Sequence, residues 1–162
     1  MLSLARALQY QQEKKGKFLS NNSHDEKQGK IIGFLGAKGG VGTTTVVLNV
    51  ASALAQKKKN VIAVELKPCC GTFSLIMNQF PTHNLANLLK LDPESLSPSI
   101  LKDYLHSSMP GLRIMFGPQN AGEIRGIAPE QVAPVVKGLA SLAEYLLIDL
   151  LMDFSEALPR RG

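Results

Sequence analysis

One short stretch of the chain has the residue types and the spacing of a phosphate-binding loop. Residues 36–45 read GAKGGVGTTT, in which four glycines are followed by three adjacent threonines. Glycines at this spacing let successive backbone N–H groups turn inward around phosphate oxygens. The hydroxyl of Thr44 would then stand where a phosphate loop ligates Mg²⁺. The stretch therefore predicts that a phosphate group and a divalent cation bind here.

The loop departs from the usual pattern at position 43. A phosphate loop normally carries a lysine directly before its Mg²⁺-binding hydroxyl residue, and that lysine neutralises the β- and γ-phosphates. Here the position is held by Thr43, and the lysine of the stretch is Lys38, five residues earlier. The missing charge should weaken nucleotide binding, although main-chain donors and Mg²⁺ can still hold the phosphates.

The segments on either side of the loop are those that such a loop requires. Ile31–Leu35 is a short apolar run that predicts a buried strand, and residues 44–56 repeat apolar side chains at helical spacing. A helix that starts behind the glycines points the positive end of its dipole at the anion. A plain glycine-rich turn between strand and helix is the alternative, and the length of the match disfavours it.

Strand and helix patterns alternate over the rest of the chain. Apolar runs predict strands at Val61–Val64, Leu112–Phe116 and Tyr145–Leu150. Short helical pieces are predicted within residues 72–90, around Pro81. A second helix should start at Ser97-Pro98, and its inward-facing residues are Ile100, Leu101, Tyr104 and Leu105. A third should run from Pro129 to about Glu144, with a kink at Pro134. The alternation predicts an α/β fold with a parallel sheet and helices on both faces.

The composition is typical of one globular domain. Hydrophobic residues make up 44% and charged residues 19% of the 162, and no apolar run is long enough to span a bilayer. Residues 1–30 hold six basic against three acidic residues, so +3 of the formal net charge of +5 lies there. The small charge of the remainder argues against nucleic-acid binding. Cys69 and Cys70 are adjacent, which indicates reduced thiols in a cytoplasmic protein.

The sequence resembles the ParA/MinD family of P-loop ATPases, whose deviant Walker A loop reads Lys-Gly-Gly-Val-Gly followed by hydroxyl residues. It is most similar to the CpaE/TadZ pilus-assembly branch, where loops of the form GAKGGVG-T-T-T lack the usual lysine. The likeness continues through residues 61–89 and through GLRIMFGP, IAPEQV and YLLIDL. It covers about residues 30–156, which correspond to the first part of the family's ATPase domain.

This coverage predicts three segments. Residues 1–29 form a flexible basic leader, residues 30–156 the N-terminal part of a nucleotide-binding domain that is incomplete at its C-terminal side, and residues 157–162 a tail. In the leader, Met1, Leu2, Leu4, Ala5 and Leu8 share one helical face that could touch a membrane or a partner, and a frayed tail is the favoured alternative. Without the family's later strands, Ile31–Leu35 should become an exposed edge strand.

The resemblance implies a role for particular residues. Lys38 matches the signature lysine that reaches phosphates across a dimer interface, and Asp149 matches the Walker B aspartate that positions Mg²⁺. Both are the implied catalytic residues, and Thr44 and Asp149 are the implied metal ligands; a helix-capping role is the alternative for Asp149. The implied nucleotide-binding residues are Gly36, Ala37, Lys38, Gly39, Gly40, Val41, Gly42, Thr43, Thr44 and Thr45, with Ala37 in place of the family's first glycine.

The end of the second strand departs from the family a second time. The family has Asp-x-Asp there, and the later carboxylate helps to orient the attacking water, whereas this chain has Glu65, Leu66 and Lys67. A protonated lysine cannot accept a hydrogen bond from that water. Lys67 is therefore interpreted as a solvated loop residue, which is favoured, or as a replacement for the charge missing at position 43.

The resemblance implies ATP and Mg²⁺ as cofactors and a nucleotide-dependent homodimer. It also implies a cytoplasmic protein, peripheral to the inner membrane if it joins pilus or secretion machinery there. Because Thr43 and Lys67 replace a cation and an acceptor, we expect a positioning or scaffold protein whose ATP hydrolysis is slow or absent. An active ATPase, a DNA-partition protein and a tyrosine-kinase relative are the alternatives, and the last lacks a terminal tyrosine cluster.

Overall fold

The computed structural model describes residues 28–67, 71–120, 122–123, 125, 127 and 129–151, which are arranged around a five-stranded sheet. The first residues, for which a frayed tail was favoured over an amphipathic helix, lie outside the described residues, as do Cys69, Cys70 and the predicted C-terminal tail. The strands are β1 (Lys30–Leu35), β2 (Val61–Leu66), β3 (His106–Met109), β4 (Leu112–Met115) and β5 (Tyr145–Leu150). The α-helices are α1 (Thr43–Gln56), α2 (Phe73–Met77), α3 (Leu85–Leu89), α4 (Pro98–Asp103) and α5 (Val132–Ser141), with 3₁₀ turns at Pro93–Ser95 and Pro129–Gln131.

The order of the strands across the sheet is β1-β5-β2-β4-β3. β5 pairs in parallel with β1 on one side and with β2 on the other, and β2 pairs in parallel with β4. The predicted α/β fold with a parallel sheet is thus confirmed for four strands. β3 was not predicted, and it runs antiparallel to β4 because Pro110 and Gly111 join the two in a tight turn, with Gly111 at φ +85°.

Alternate side chains of the central strands bury themselves on opposite faces of the sheet. Ile62 and Val64 of β2 lie in the core that α3, α4 and α5 cover, whereas Val61 and Ala63 lie in the core beneath α1 and α2. β5 follows the same alternation, with Leu146 and Ile148 on one face and Leu147 on the other. Both faces of the sheet are therefore covered by helices, as predicted, and the predicted burial of Val61–Val64 is confirmed.

The predicted start of α4 is confirmed by its cap. The hydroxyl of Ser97 accepts a hydrogen bond from the backbone N–H of Ile100 at 3.3 Å, and Pro98 is the first helical residue. Leu101 is wholly inside the core, as its position on the predicted inward face requires. Short helices on either side of Pro81 are also present as predicted, at α2 and α3.

The helix predicted from Pro129 to Glu144 is shorter than expected. Pro129–Gln131 form a 3₁₀ turn, and α5 runs only from Val132 to Ser141. Pro134 is consequently the third residue of the helix. Its missing N–H belongs to the first turn, where backbone donors have no intrahelical partner, so that α5 loses no hydrogen bond there.

Strand β1 is more exposed than the prediction of a buried strand allowed. Within the described part of the chain it pairs with β5 alone, and Ile31, Ile32 and Leu35 are 47%, 39% and 50% exposed. The burial of Ile31–Leu35 was therefore predicted wrongly, whereas the exposed edge expected without an outer neighbour is present. An apolar strand with unpaired backbone groups on one side is a site of association.

The parallel register brings the carboxyl ends of three strands to one edge of the sheet. Leu35 of β1 and Leu66 of β2 both pair with Leu150 at the end of β5. Whatever follows β1 and β2 in the chain therefore lies beside the end of β5, which is where parallel α/β sheets place their ligands. No helix among the described residues is long and apolar enough to cross a membrane.

Replacing Ile31 with lysine should reduce self-association of the chain, because it puts a charge on the exposed apolar edge of β1. Its half-exposed side chain contributes little burial, so the free energy of unfolding should change by less than about 1 kcal/mol. Sedimentation velocity over a concentration series measures the association. Leu75→Lys, which changes an exposed leucine of α2, is the matched control. Equal association in both variants and the unmodified chain would show that β1 is not the associating edge.

Candidate functional site

The glycine loop connects the end of β1 to the start of α1. Gly40 and Gly42 adopt φ of +77° and +86°, a left-handed conformation that residues with side chains rarely take. A Cβ on either residue would meet no atom within 4 Å, so it is the backbone conformation that requires glycine here. The left-handed backbone at Gly40 and Gly42 bends the loop into the open cradle of backbone groups that the sequence predicted.

The start of α1 is left uncapped by side chains. Gly42 is its N-cap and provides no side-chain hydrogen bond, and the first turn contains no acidic residue. The first N–H groups of a helix need partners from outside the helix, and the helix dipole makes that end electropositive. The loop and α1 together therefore present backbone donors and positive potential to an anion.

A cavity of about 600 Å³ opens at this end of the sheet. It is lined by the loop, by the residue that follows β2, and by residues at α2 and at the end of β5. Of the ten predicted nucleotide-binding residues, only Thr45 does not line it, and the Thr45 carbonyl instead accepts a hydrogen bond from Asn49 within α1. The cavity lining consists of Gly36, Ala37, Lys38, Gly39, Gly40, Val41, Gly42, Thr43, Thr44, Lys67, Thr72, Ile76, Asp149, Leu150 and Leu151.

The two residues expected to hold a metal are brought together. The hydroxyl of Thr44, at the start of α1, donates a hydrogen bond to Oδ2 of Asp149 at 2.7 Å. Asp149 is wholly buried near the end of β5, and its Oδ1 has no hydrogen-bond partner among the described residues. The carboxylate contacts the side chain of Thr44 rather than a helical N–H, so the geometry does not support the helix-capping alternative.

Lys67 is part of this cluster and not a solvated loop residue. Its Nζ lies 2.6 Å from Asp149 Oδ2 and donates hydrogen bonds to Thr44 Oγ1 at 2.7 Å and to Thr72 Oγ1 at 3.3 Å. Its side chain is only 11% exposed. The favoured interpretation of Lys67 from the sequence was therefore wrong, because the carboxyl ends of β2 and β5 are adjacent and Lys67 directly follows β2.

Glu65 has a structural role that the sequence did not indicate. Its wholly buried carboxylate accepts hydrogen bonds from the N–H and hydroxyl of Thr72 at 2.6 and 2.8 Å, and from the N–H groups of Phe73 and Gly117 at 3.2 and 3.3 Å. Four donors stabilise the buried charge. Glu65 thereby ties the start of α2 and the end of β4 to β2. A threonine directly before a short apolar helix was the signal that could have pointed to Thr72.

The site fits a nucleotide phosphate better than it fits a metal ion. Lys38 is exposed on the loop and makes no hydrogen bond or ion pair with another described residue, so its charge is available. Thr44 and Asp149 have the donor atoms for Mg²⁺, but the Lys67 ammonium already lies against both of them. Elsewhere in the described ranges, no group of three or more histidine, cysteine or acidic residues could hold a metal.

The Lys67–Asp149 ion pair should show strong coupling in a double-mutant cycle. Lys67→Met leaves the buried Asp149 without its cation and should lower the free energy of unfolding by about 3–5 kcal/mol. Asp149→Leu leaves the Lys67 ammonium with only its 3.6 Å ion pair to Glu65, so it should also be destabilising. The double variant removes both charges and should be more stable than the two single effects predict. Urea unfolding of the four proteins measures the coupling.

The exposed pair Lys59–Glu144, at 3.2 Å, provides the control cycle. Its side chains are 43% and 49% exposed, so solvent screens the pair and its coupling should be much smaller than that of Lys67 with Asp149. A coupling energy between Lys67→Met and Asp149→Leu that is no larger than the coupling energy of the control cycle would contradict the ion pair.

Comparisons with known proteins agree with this geometry. Residues 29–113, just over half of the chain, match the AAA domain family. An uncharacterised ATP-binding protein of Methanocaldococcus jannaschii is 27% identical over 123 residues, which are 73% of this chain and 43% of that protein.

Solved structures show the same fold. A ParA family ATPase from Chlorobium tepidum superposes with a TM-score of 0.70 at 26% identity over 79% of this chain and 53% of its own. The septum site-determining protein MinD of Pyrococcus horikoshii, in complex with Mg-ADP, superposes with a TM-score of 0.63 at 24% identity. The match covers 74% of this chain and 48% of the MinD chain. The chain thus spans about half the length of these relatives. With its glycine loop, its sheet order and these matches, the chain belongs to the AAA domain family and has the P-loop fold of the ParA/MinD ATPases.

Proposed function

We propose that this chain binds ATP at the glycine loop and acts as a positioning or scaffold protein, with hydrolysis that is slow or absent. The observation that carries the proposal is the contact of Thr44, at the uncapped start of α1, with the buried Asp149 in the cavity beneath the loop. The M. jannaschii relative is described as ATP-binding and the MinD structure contains Mg-ADP, which supports an adenine nucleotide as the ligand.

Slow hydrolysis follows from the side chains that surround the phosphate end of the cavity. Thr43 provides no positive charge for the developing negative charge of phosphoryl transfer. Lys67 stands where a carboxylate would orient the attacking water, and it can only donate. Glu65 is engaged by four donors, so it is not free to accept a proton. A protein with these features retains its nucleotide longer than an efficient ATPase does.

The proposed assembly is a nucleotide-dependent homodimer in which Lys38 reaches the phosphates of the partner subunit. Lys38 is exposed at the rim of the cavity and has no partner among the described residues, which leaves it free for this contact. By its likeness to the pilus-assembly branch, the chain would act in the cytoplasm with pilus or secretion machinery, in contact with a membrane-associated partner. Nucleic acid is not a proposed ligand, because the charge outside residues 1–30 is small.

Calorimetric titration of the chain with ATP tests the binding site. Thr44→Ala should weaken binding by about tenfold, because it removes one hydrogen-bonding group at the phosphate end. Lys38→Ala should weaken binding or abolish dimerisation, measured by sedimentation on the same sample. Thr82→Ala and Lys90→Ala, at exposed positions outside the cavity lining, are the matched controls. If all four variants bind ATP like the unmodified chain, the loop is not the site.

Phosphate release from ATP tests the second half of the proposal. The unmodified chain should release phosphate far more slowly than an intact ParA/MinD ATPase. The double variant Thr43→Lys, Lys67→Asp restores the cation and the acceptor, so it should release phosphate faster than either single variant. Brisk release by the unmodified chain that disappears in Asp149→Ala would instead identify an active ATPase.

A further inference from the structure

The ammonium group of Lys67 lies where the sequence predicted a metal ion. Its Nζ is 2.6 Å from Asp149 Oδ2 and 2.7 Å from Thr44 Oγ1, the two side chains expected to hold Mg²⁺. We propose that this ammonium is a built-in cation that takes the place of Mg²⁺, so that the loop binds nucleotide without a divalent cation. The inference rests on the proposed nucleotide binding and concerns the cofactor requirement of the same site.

The N–H and O–H donors of the cluster all meet acceptors when Lys67 is an ammonium ion, whereas Asp149 Oδ1 has no partner among the described residues. Lys67 has three N–H donors, and its nearest acceptors are Asp149 Oδ2, Thr44 Oγ1 and, at 3.3 Å, Thr72 Oγ1, with Glu65 Oε1 as a further ion-pair partner at 3.6 Å. Both hydroxyls can accept because each gives its own proton to a carboxylate. Thr44 donates to Asp149 at 2.7 Å, and Thr72 donates to Glu65 at 2.8 Å. Every donor in this cluster therefore meets an acceptor.

A divalent cation would compete for these acceptors. Mg²⁺ requires oxygen ligands in nearly octahedral geometry at about 2.1 Å, and an N–H donor cannot be one of them. A Mg²⁺ ion on Thr44 Oγ1 would lie within about 5 Å of the Lys67 ammonium, where the two cations repel each other. Lys67 could make room only by giving up its ion pairs with the wholly buried Asp149 and Glu65 and by moving its own charge out of the cluster. In this arrangement the residues expected to bind Mg²⁺ do not fit it.

The position of Lys67 also suits the ligand. Its side chain lines the same cavity as the glycine loop and contacts Thr44 at the end of that loop, so its charge lies in the cavity where the loop would hold phosphates. The loop itself lacks a cation at position 43, where Thr43 is neutral. The ammonium of lysine is a compact charge that is suited to phosphate oxygens. Lys67, directly after β2, thereby supplies the positive charge that the loop lacks at position 43. It also takes the place of the metal as the partner of Asp149.

Titration of the unmodified 162-residue chain with a non-hydrolysable ATP analogue, in EDTA and in millimolar Mg²⁺, tests the proposal. When two ligands favour each other's binding, each commonly raises the affinity for the other by about 5–150-fold. A metal ion that bridges the protein and the phosphates would raise the affinity for the nucleotide in this way. Here Mg²⁺ should leave the dissociation constant within about threefold of its value in EDTA, or weaken binding. An increase in affinity of more than about threefold on adding Mg²⁺ would overturn the inference and leave the proposed nucleotide binding intact.

Lys67→Met removes the charge, keeps most of the aliphatic stem and opens the metal position. In this variant Mg²⁺ should raise affinity by about tenfold or more, whereas Lys90→Met, an exposed lysine outside the cavity, should behave like the unmodified chain. A folded Lys67→Met that stays insensitive to Mg²⁺ would overturn the assignment of Lys67 as the built-in cation. Should this variant not fold, the comparison of EDTA with Mg²⁺ on the unmodified chain decides alone. If the analogue binds in neither buffer, the proposed function and this inference both fail.

Discussion

The ion pair between Lys67 and Asp149 is the interaction on which the arrangement of the site depends. Asp149 is wholly buried and Lys67 nearly so, and the Lys67 ammonium, which also lies 3.6 Å from Glu65, is the cation that compensates the Asp149 charge. Their contact joins the segment after β2 to the end of β5, and Thr44 adds the start of α1 to the same cluster. Three elements that are far apart in the chain are thus held together by one compensated pair of charges.

This pair depends in turn on the strand order. β2 and β5 are neighbours in parallel register, with Glu65 opposite Asp149, so that Lys67 emerges beside the end of β5. The Glu65 carboxylate accepts hydrogen bonds from Thr72 and Phe73 at the start of α2 and from Gly117 just after β4. The two carboxylates consequently have different roles. Glu65 organises the backbone around β2, whereas Asp149 keeps Lys67 and Thr44 at the floor of the cavity.

In the proposed function, the site binds a nucleotide but hydrolyses it slowly or not at all, whereas P-loop ATPases combine binding with hydrolysis. The backbone cradle, the uncapped helix start and the free Lys38 are features of phosphate binding. The charged side chains around them are distributed differently from the pattern that supports hydrolysis, with Thr43 and Lys67 in place of a cation and an acceptor. In the proposed function this difference favours retention of the nucleotide over turnover. A built-in ammonium would additionally make retention independent of the metal supply.

The sequence alone determined the strand–loop–helix unit and the alternation of elements, because these depend on local apolar periodicity and glycine spacing. The resemblance to the ParA/MinD family assigned Thr44 and Asp149 to one site, and the structure shows their contact. Strand β3 escaped prediction because its residues, HSSM, form no apolar run, and the hairpin comes from the turn at Pro110 and Gly111. The local apolar run predicted a buried β1, and its exposed edge was expected only from the family resemblance; the burial of Lys67 was not predicted locally either. Both depend on which strand lies next to which, and a long flexible side chain such as lysine takes its position from neighbours that only the tertiary structure provides.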